Sequence, residues 1–452
     1  MPFKEIIKSQ TLSARFLRSS AWSIIGYGGG QVIRFASNLV LTRILFPEDF
    51  GLMALVTVFL VGLMMISDVG LSPSIQQSSR GDDPVFLDTA WTIQILRGLL
   101  LWGACFVIAP LGARFYDSEH LSLMLPVAGI SLLVAGFTPT RVETANRHLK
   151  IGVVTSLDIT AQFLAFVANV ALALILQSVW ALVIGMVIGA SVRLFFMVVF
   201  LPGHKNRIRW ESSTATEIVT FGRWIFLSTV CGFLLVQSDK AILGKYIDLS
   251  QLGIYNIGFF LASVPQAMAA SLMSRILIPI HREWNPRFSH ENYTRLRKTR
   301  FVLTFVTLSL QCVLAWSGIW VVDILYSDQY SAAGGVLVAI ACMNTPYLTG
   351  MTYDYAALAA GDSKGMFFLQ LMKTILQLTL FSIGFFSFGL VGALAGVWLS
   401  QLLSHIFVVR LARKHGVWDW GHDLVFGLVA TCVCAMAIYV QRDELLLLLD
   451  FN

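Results

Sequence analysis

Twelve ionisable residues interrupt the apolar stretches of this sequence, and their types define the chemistry on offer. The basic ones are Arg34, Arg97, Arg141, Arg193, Lys240, Arg275 and Lys373; the acidic ones are Asp68, Glu143, Asp158, Asp239 and Asp354. A charge at mid-bilayer costs about 2.5–3.5 kcal/mol and therefore faces a protein interior or a cavity. The cationic surplus suits an anionic cargo group, and the planar arginine fork matches phosphate oxygens two at a time. Arg34 and Arg275, helped by Arg141 or Arg193, are the expected phosphate contacts, and Asp68, Glu143 or Asp354 is the expected seat for a coupling proton or sodium ion, with the membrane potential as the alternative driving force. A structural reading stands beside this one. Arg34 with Asp68, and Asp158 with Arg193, would then be ion pairs that register neighbouring helices.

Signatures of enzymatic chemistry are missing from the chain. There is no GxxxxGK[ST] loop, no HExxH, no GxSxG and no paired-cysteine metal motif, so no cofactor is expected. Asp82 and Asp83 in RGDDPVFLD read as a helix-entry cap. The six cysteines, Cys105, Cys231, Cys312, Cys342, Cys432 and Cys434, fall in apolar stretches and read as packing residues, with Cys432 and Cys434 on different helix faces.

The elements that must position the charged residues are membrane helices. Of 452 residues, 56% are hydrophobic and 13% charged, with a mean hydropathy of +0.73. Spanning ~30 Å of hydrocarbon takes about 20 residues of helix, and the apolar runs are too long and continuous for barrel strands. Thirteen spans are expected, near 19–45, 51–79, 88–115, 121–146, 151–176, 178–202, 217–246, 251–280, 300–325, 331–360, 364–388, 390–411 and 423–440. The LLLLL at 445–449 is too short to cross, and the basic lead-in at 1–20 does not resemble a cleaved leader. Pro73, Pro126, Pro139, Pro265, Pro279 and Pro346 are expected to kink or break their spans. In IIGYGGGQ, Gly26, Gly28, Gly29 and Gly30 serve either close helix packing or a hinge, and Trp22, Trp91, Trp224 and Trp284 sit near the expected interfaces.

A repeat organises these spans. Trp22, Arg43 and Gly51 recur as Trp224, Lys245 and Gly253 at a constant offset of 202, and Gly185 corresponds more loosely to Gly396. The expected division is an N-terminal lobe at 1–203, a cytoplasmic linker at 204–216, a C-terminal lobe at 217–411 and an extra span with tail at 412–452. Basic loops gather on one side, with Arg80, Arg147, Lys205, Arg207, Arg209 and the 281–300 interval among them, and this side is expected to be cytoplasmic. Six spans return the chain to its starting side, so the repeat is parallel and implies alternating access between lobes. Arg43 and Lys245 fall at outer helix ends as gates or anchors. The net charge of +6 follows from these short loops, with attraction to membrane lipids as a secondary effect and no nucleic acid as partner.

The order SAW, LTRILFPEDFGLMAL and ISDVGLSPSIQQ in the first half, with FGRWIF, DKAILGKY, LGIYNIGF and ALAAGDSKG in the second, resembles the bacterial polysaccharide-transport flippases. These belong to the multidrug/oligosaccharidyl-lipid/polysaccharide exporter superfamily. The resemblance covers essentially the whole chain. It implies a MATE-like all-α fold in the bacterial inner membrane. It also implies translocation of an undecaprenyl-pyrophosphate-linked oligosaccharide from the cytoplasmic to the periplasmic leaflet, alongside a polysaccharide polymerase and chain-length machinery, for O-antigen, capsule or exopolysaccharide. Two other readings remain at this stage. A multidrug or cation antiporter of the same superfamily would call for a net acidic cavity, and a membrane glycosyltransferase or polymerase for a sizeable polar loop.

Overall fold

The computed structural model describes residues 12–283 and 289–451. The first eleven residues and Trp284 lie outside them. All regular structure among the described residues is helical: α1 (Leu12–Leu41), α2 (Pro47–Ile66), α3 (Leu71–Gln77), α4 (Pro84–Phe115), α5 (His120–Gly136), α6 (Arg141–Arg147), α7 (Ile151–Leu176), α8 (Trp180–Val199), α9 (Ser212–Tyr246), α10 (Leu249–Glu283), α11 (His290–Leu325), α12 (Ala333–Met343), α13 (Thr345–Ala359), α14 (Ser363–Lys414), α15 (Trp420–Val440) and α16 (Arg442–Leu446), with two short 3-10 turns. Nine helices among the described residues are long and apolar enough to cross a membrane, or eleven when each of two bent pairs counts as one span.

The chain divides into two compact units, Met1–Phe233 and Leu234–Asn452, which repeat one order of helices. In each the fourth crossing is broken. α5 and α6 meet at 58°, and the segment ending in α12 meets α13 at 45°. Pro139 and Pro346 stand at these two breaks, since proline disfavours helical backbone in the residue before it. Pro126, Pro265 and Pro279, by contrast, lie inside continuous helices.

Residues 363–414 form one 52-residue helical element, which at 1.5 Å per residue would run ~78 Å if straight. It does not run straight. Phe388 and Gly389 leave helical geometry, and Gly389 adopts φ 59°, ψ −148°, a region open essentially to glycine alone. The two arms return on each other as an antiparallel hairpin, and this accounts for the two spans expected at 364–388 and 390–411. Glycine allows the arms to touch: a Cβ on Gly384 would lie 2.0 Å from the Gly392 carbonyl oxygen, and one on Gly396 would lie 2.1 Å from that of Leu380. At the open end Lys414 Nζ and His415 Nε2 contact the Asp362 carboxylate at 2.6 and 3.0 Å. In the first unit α7 and α8 make the corresponding pair, with Gly185 packed on Asn169 and Gly189 on Ala165. The Gly185–Gly396 correspondence in sequence thus marks a helix crossing used twice.

In unit 1 three of the four glycines of the α1 cluster pack closely, while Gly28 has open space beside it. Gly26, Gly29 and Gly30 face Thr155, Ile159 and Gln162 of α7, and α1 continues unbroken through them.

Candidate functional site

In the first unit the expected residues serve separate places. Arg193 Nε meets Asp158 Oδ1 at 2.8 Å across α7 and α8, the structural ion pair named from sequence. Arg141 is buried beside the α5–α6 break and donates from Nη2 to the Val198 carbonyl, satisfying an orphan group at the end of α8. Its Nε is buried with no partner among the described residues. Glu143 Oε2 accepts from Ser72 Oγ at 2.7 Å and Gln76 Nε2 at 2.8 Å, which ties α6 to α3. Asp68 Oδ1 accepts from the Gly70 amide at 2.9 Å in the break between α2 and α3. Arg34 is exposed on α1 and Arg43 in the turn that follows it.

Arg80 and Arg147, topology markers in the sequence, join Asp82, Asp83, His148 and Glu211 in a polar network at the same end of this unit. Asp83 caps α4 by accepting from the Val85 amide, and Asp82 pairs with Arg147 and His148. Arg80 Nη2 lies 2.7 Å from Asp83 and 2.8 Å from Glu211. The Arg80 hydrogen bond holds the Asp83 carboxyl below its ordinary range, and hydrogen bonds from Thr214 and then Arg80 do the same for Glu211.

The second unit holds a buried ion pair. Lys373 Nζ lies 2.9 Å from Asp354 Oδ2 between α14 and α13, with side-chain exposures of 12% and 16%. Lys373 also sits 5.5 Å from the Tyr347 ring centroid, while Asp354 Oδ1 is buried without a partner among the described residues. Asp239 accepts from Tyr255 Oη at 2.6 Å, and Lys240 Nζ stands 4.3 Å from the Phe259 ring centroid. Arg275 is half-buried on α10, and Lys245 is half-buried in the last turn of α9.

Arg300 was a loop cation in the sequence, yet it is the largest fully buried side chain among the described residues, 1% exposed. Its guanidinium lies 4.1 Å from the Tyr353 ring centroid and donates to the Val417 carbonyl. Next to it the Asp423 carboxylate accepts from Tyr353 Oη at 2.7 Å and Trp418 Nε1 at 3.1 Å, and contacts His405 and His422, each at 3.1 Å. Asp419 caps α15 through the Gly421 and His422 amides. Four separate chain segments build this cluster, and it fastens α15, the span with no counterpart in the first unit. No local spacing announces it. Outside the spans, Lys414 first and then the Gly365 amide hold the Asp362 carboxyl down at about 2. Among the described residues no three His, Cys, Asp or Glu are grouped to hold a metal ion.

A bundle of crossing helices in two like-ordered units, with charge paired inside the spans, defines a multi-pass membrane protein of transporter fold. The backbone matches that of "Lipid II flippase MurJ, inward closed conformation" with a TM-score of 0.69 at 13% identity, covering 94% of this chain and 99% of that one. It also matches an inward-facing multidrug resistance MATE family transporter of the MOP superfamily, with a TM-score of 0.57 at 13% identity over 90% of this chain and 95% of that one. At these identities the likeness establishes the fold, which is the MATE-like one expected.

The sequence assigns the family. The family described as "Polysaccharide biosynthesis protein" matches residues 40–334, more than half of the chain, and the chain belongs to it. The succinoglycan biosynthesis transport protein ExoT of Rhizobium meliloti (strain 1021) is 23% identical over 348 residues, 74% of this chain and 68% of that protein. The resemblance read from the motifs is borne out at the level of this polysaccharide-biosynthesis family.

Proposed function

We propose that the protein is a flippase that carries an undecaprenyl-pyrophosphate-linked oligosaccharide from the cytoplasmic to the periplasmic leaflet of the bacterial inner membrane. The observation that carries the reading is the coincidence, in one chain, of a polysaccharide-biosynthesis family match at 40–334 with a lipid-flippase backbone over 94% of its length. Alternating access between lobes 1–203 and 217–411 is part of the proposal, as is delivery to a polymerase and chain-length machinery on the far side.

Flipping needs a cation for the pyrophosphate and a path for the sugar, while the lipid tail stays in hydrocarbon. Arg34, exposed on α1, and Arg275, half-buried on α10, are the proposed phosphate contacts. Arg141 and Arg193, which bond to Val198 and Asp158, are the proposed helpers through their remaining guanidinium donors. For the driving force, each negative charge moved outward gains ~2.3 kcal/mol per 100 mV of inside-negative potential. Of the carboxylates proposed for ion coupling, Asp68 and Glu143 already accept hydrogen bonds from neighbouring chain, whereas Asp354 keeps one buried oxygen open beside Lys373. Asp354 is the member of the three best suited to exchange a proton.

The test replaces Arg34→Ala and Arg275→Ala in cells that depend on this protein for polymer export, with expression and membrane insertion verified. Export is expected to fall in each variant, with lipid-linked repeat units accumulating on the cytoplasmic face. Full export in both would overturn the phosphate site.

A further inference from the structure

Residues 203–211 form an ordered strap along α4. Asp88, buried in α4, accepts from His204 Nε2 at 2.7 Å and from the Arg207 amide at 3.0 Å, and Asn206 bonds to the Leu87 carbonyl and Thr140. One turn on, the Arg209 amide donates to Thr92 Oγ1 and the Glu211 amide to Thr89 Oγ1. The backbone is thus fixed through the inward face of α4 while Lys205, Arg207, Ile208, Arg209 and Trp210 are all exposed. Ile208 is 79% exposed and Trp210 57%. A fixed strap that shows alternating cations and large apolar groups suits a membrane surface, where tryptophan sits at headgroup level and lysine and arginine meet anionic phosphates.

Trp210 and Ile93 line two adjoining hollows of unit 1, of about 290 and 330 Å³. The first is walled by Val69, Leu96, Leu100 and Leu101 with Arg97 as its charge. Arg97 lies one helical turn beyond Ile93, about 6 Å along α4. It donates from Nε to Ser67 Oγ and from Nη2 to the Met64 carbonyl at the end of α2, and Nη1 makes no hydrogen bond among the described residues. Of the nearby acids, Asp83 and Glu211 are both held by Arg80, and Asp68, the acid whose charge Arg97 feels, accepts from the Gly70 amide through Oδ1.

We propose that this groove binds an anionic phospholipid of the leaflet that the basic loops face. The phosphate lies between Arg97 Nη1 and the strap cations Arg207 and Arg209, the Trp210 indole covers the headgroup boundary, and one acyl chain runs along the exposed Leu96 and Leu100 face. The walls select the occupant. The first hollow offers mainly apolar side chains, and the second adds only the hydroxyls of Thr216 and Thr220, where a sugar-bearing pyrophosphate would need many hydrogen-bond partners. The inference does not depend on the proposed cargo.

The full chain is reconstituted in vesicles that contain phosphatidylglycerol or phosphatidylcholine with brominated acyl chains, and the Trp210 contribution to tryptophan quenching is taken as the difference from Trp210→Phe. Preferential quenching by brominated phosphatidylglycerol is expected, and its preference falls about fivefold for each of Arg97→Gln and Arg209→Gln. Because Arg209 is exposed on the strap, its variant reports binding even if Arg97→Gln disturbs the end of α2. Equal quenching by the two lipids, or an unchanged preference in both variants, would overturn the site. Displacement of the brominated lipid by polyprenyl pyrophosphate at lower concentration than by unlabelled phosphatidylglycerol would make cargo the occupant, and the phospholipid proposal would fail.

Discussion

Gly185 and Gly396 hold equivalent places in the repeat, yet alanine should affect them differently. At Gly396 the new Cβ would stand 2.1 Å from the Leu380 carbonyl oxygen, where real Cβ atoms stay beyond 3.0 Å. The obstacle is backbone on the facing arm of α14. It cannot rotate away, so the arms must part by about an ångström, and a gap of that size forfeits roughly a quarter to a half of each contact's attraction. Overpacking costs about 1–3 kcal/mol, with an immovable backbone obstacle at the upper end, ~2–3 kcal/mol, and alanine regains ~1 kcal/mol of helix propensity, which leaves a net loss of about 1–2 kcal/mol. At Gly185 the Cβ would meet the Asn169 side chain at 1.7 Å. That amide can swing aside, and its Oδ1 makes no hydrogen bond to lose. The adjustment costs about 0.5–1.5 kcal/mol and roughly cancels the propensity gain. Thermal unfolding of detergent-purified variants, followed by size-exclusion chromatography, should show Gly396→Ala lowered by about 2–8 °C and Gly185→Ala near wild type. If Gly396→Ala melted with wild type, or Gly185→Ala fell as far, the account of the hairpin contact would be wrong.

Replacing Lys373→Met leaves the Asp354 carboxylate buried without its partner and should cost about 3–5 kcal/mol, while Lys373→Met with Asp354→Leu should recover most of it; unfolding in graded denaturing detergent separates the two. Arg193→Asp should destabilise unit 1, and adding Asp158→Arg should restore its melting temperature, since the 2.8 Å pair registers α7 and α8. At Asp362 the folded carboxyl titrates at about 2, below its ordinary value near ~3.9. Its contribution to stability is therefore complete above about 4 and is lost as the pH falls towards 2. Asp362→Asn keeps the cap on α14 but removes the charge, so its melting temperature should lie below wild type at neutral pH and converge with it on acidification.

How much of this protein was legible beforehand can be judged from particular residues. The two arms of α14 were separable at residue 389 because a glycine between two apolar runs is a local feature. Pro139 and Pro346 marked the broken fourth crossings for the same reason, whereas Pro126, Pro265 and Pro279 sit in unbroken helices because a membrane helix can tolerate proline where neighbours satisfy the backbone. Asp83 was recognisable as a cap from its place before Pro84. Cys432 and Cys434 divide as expected, one exposed and one buried.

Hydropathy, span length and repeat offset determined the class of protein and the order of its helices, since each is set by residues close in sequence and by the thickness of hydrocarbon. Only tertiary structure decided which partners several of the intramembrane charges meet. Arg193 and Arg141 are engaged by α7 and α8, Lys373 holds Asp354, and Arg300 leaves its apparent loop to be buried against Tyr353 beside an Asp423 cluster. It also turned the first part of the expected linker into a strap, through bonds between residues more than a hundred positions apart. A desolvated charge takes whichever partner packing brings within reach, and that partner is chosen by helix crossings that no window of sequence contains.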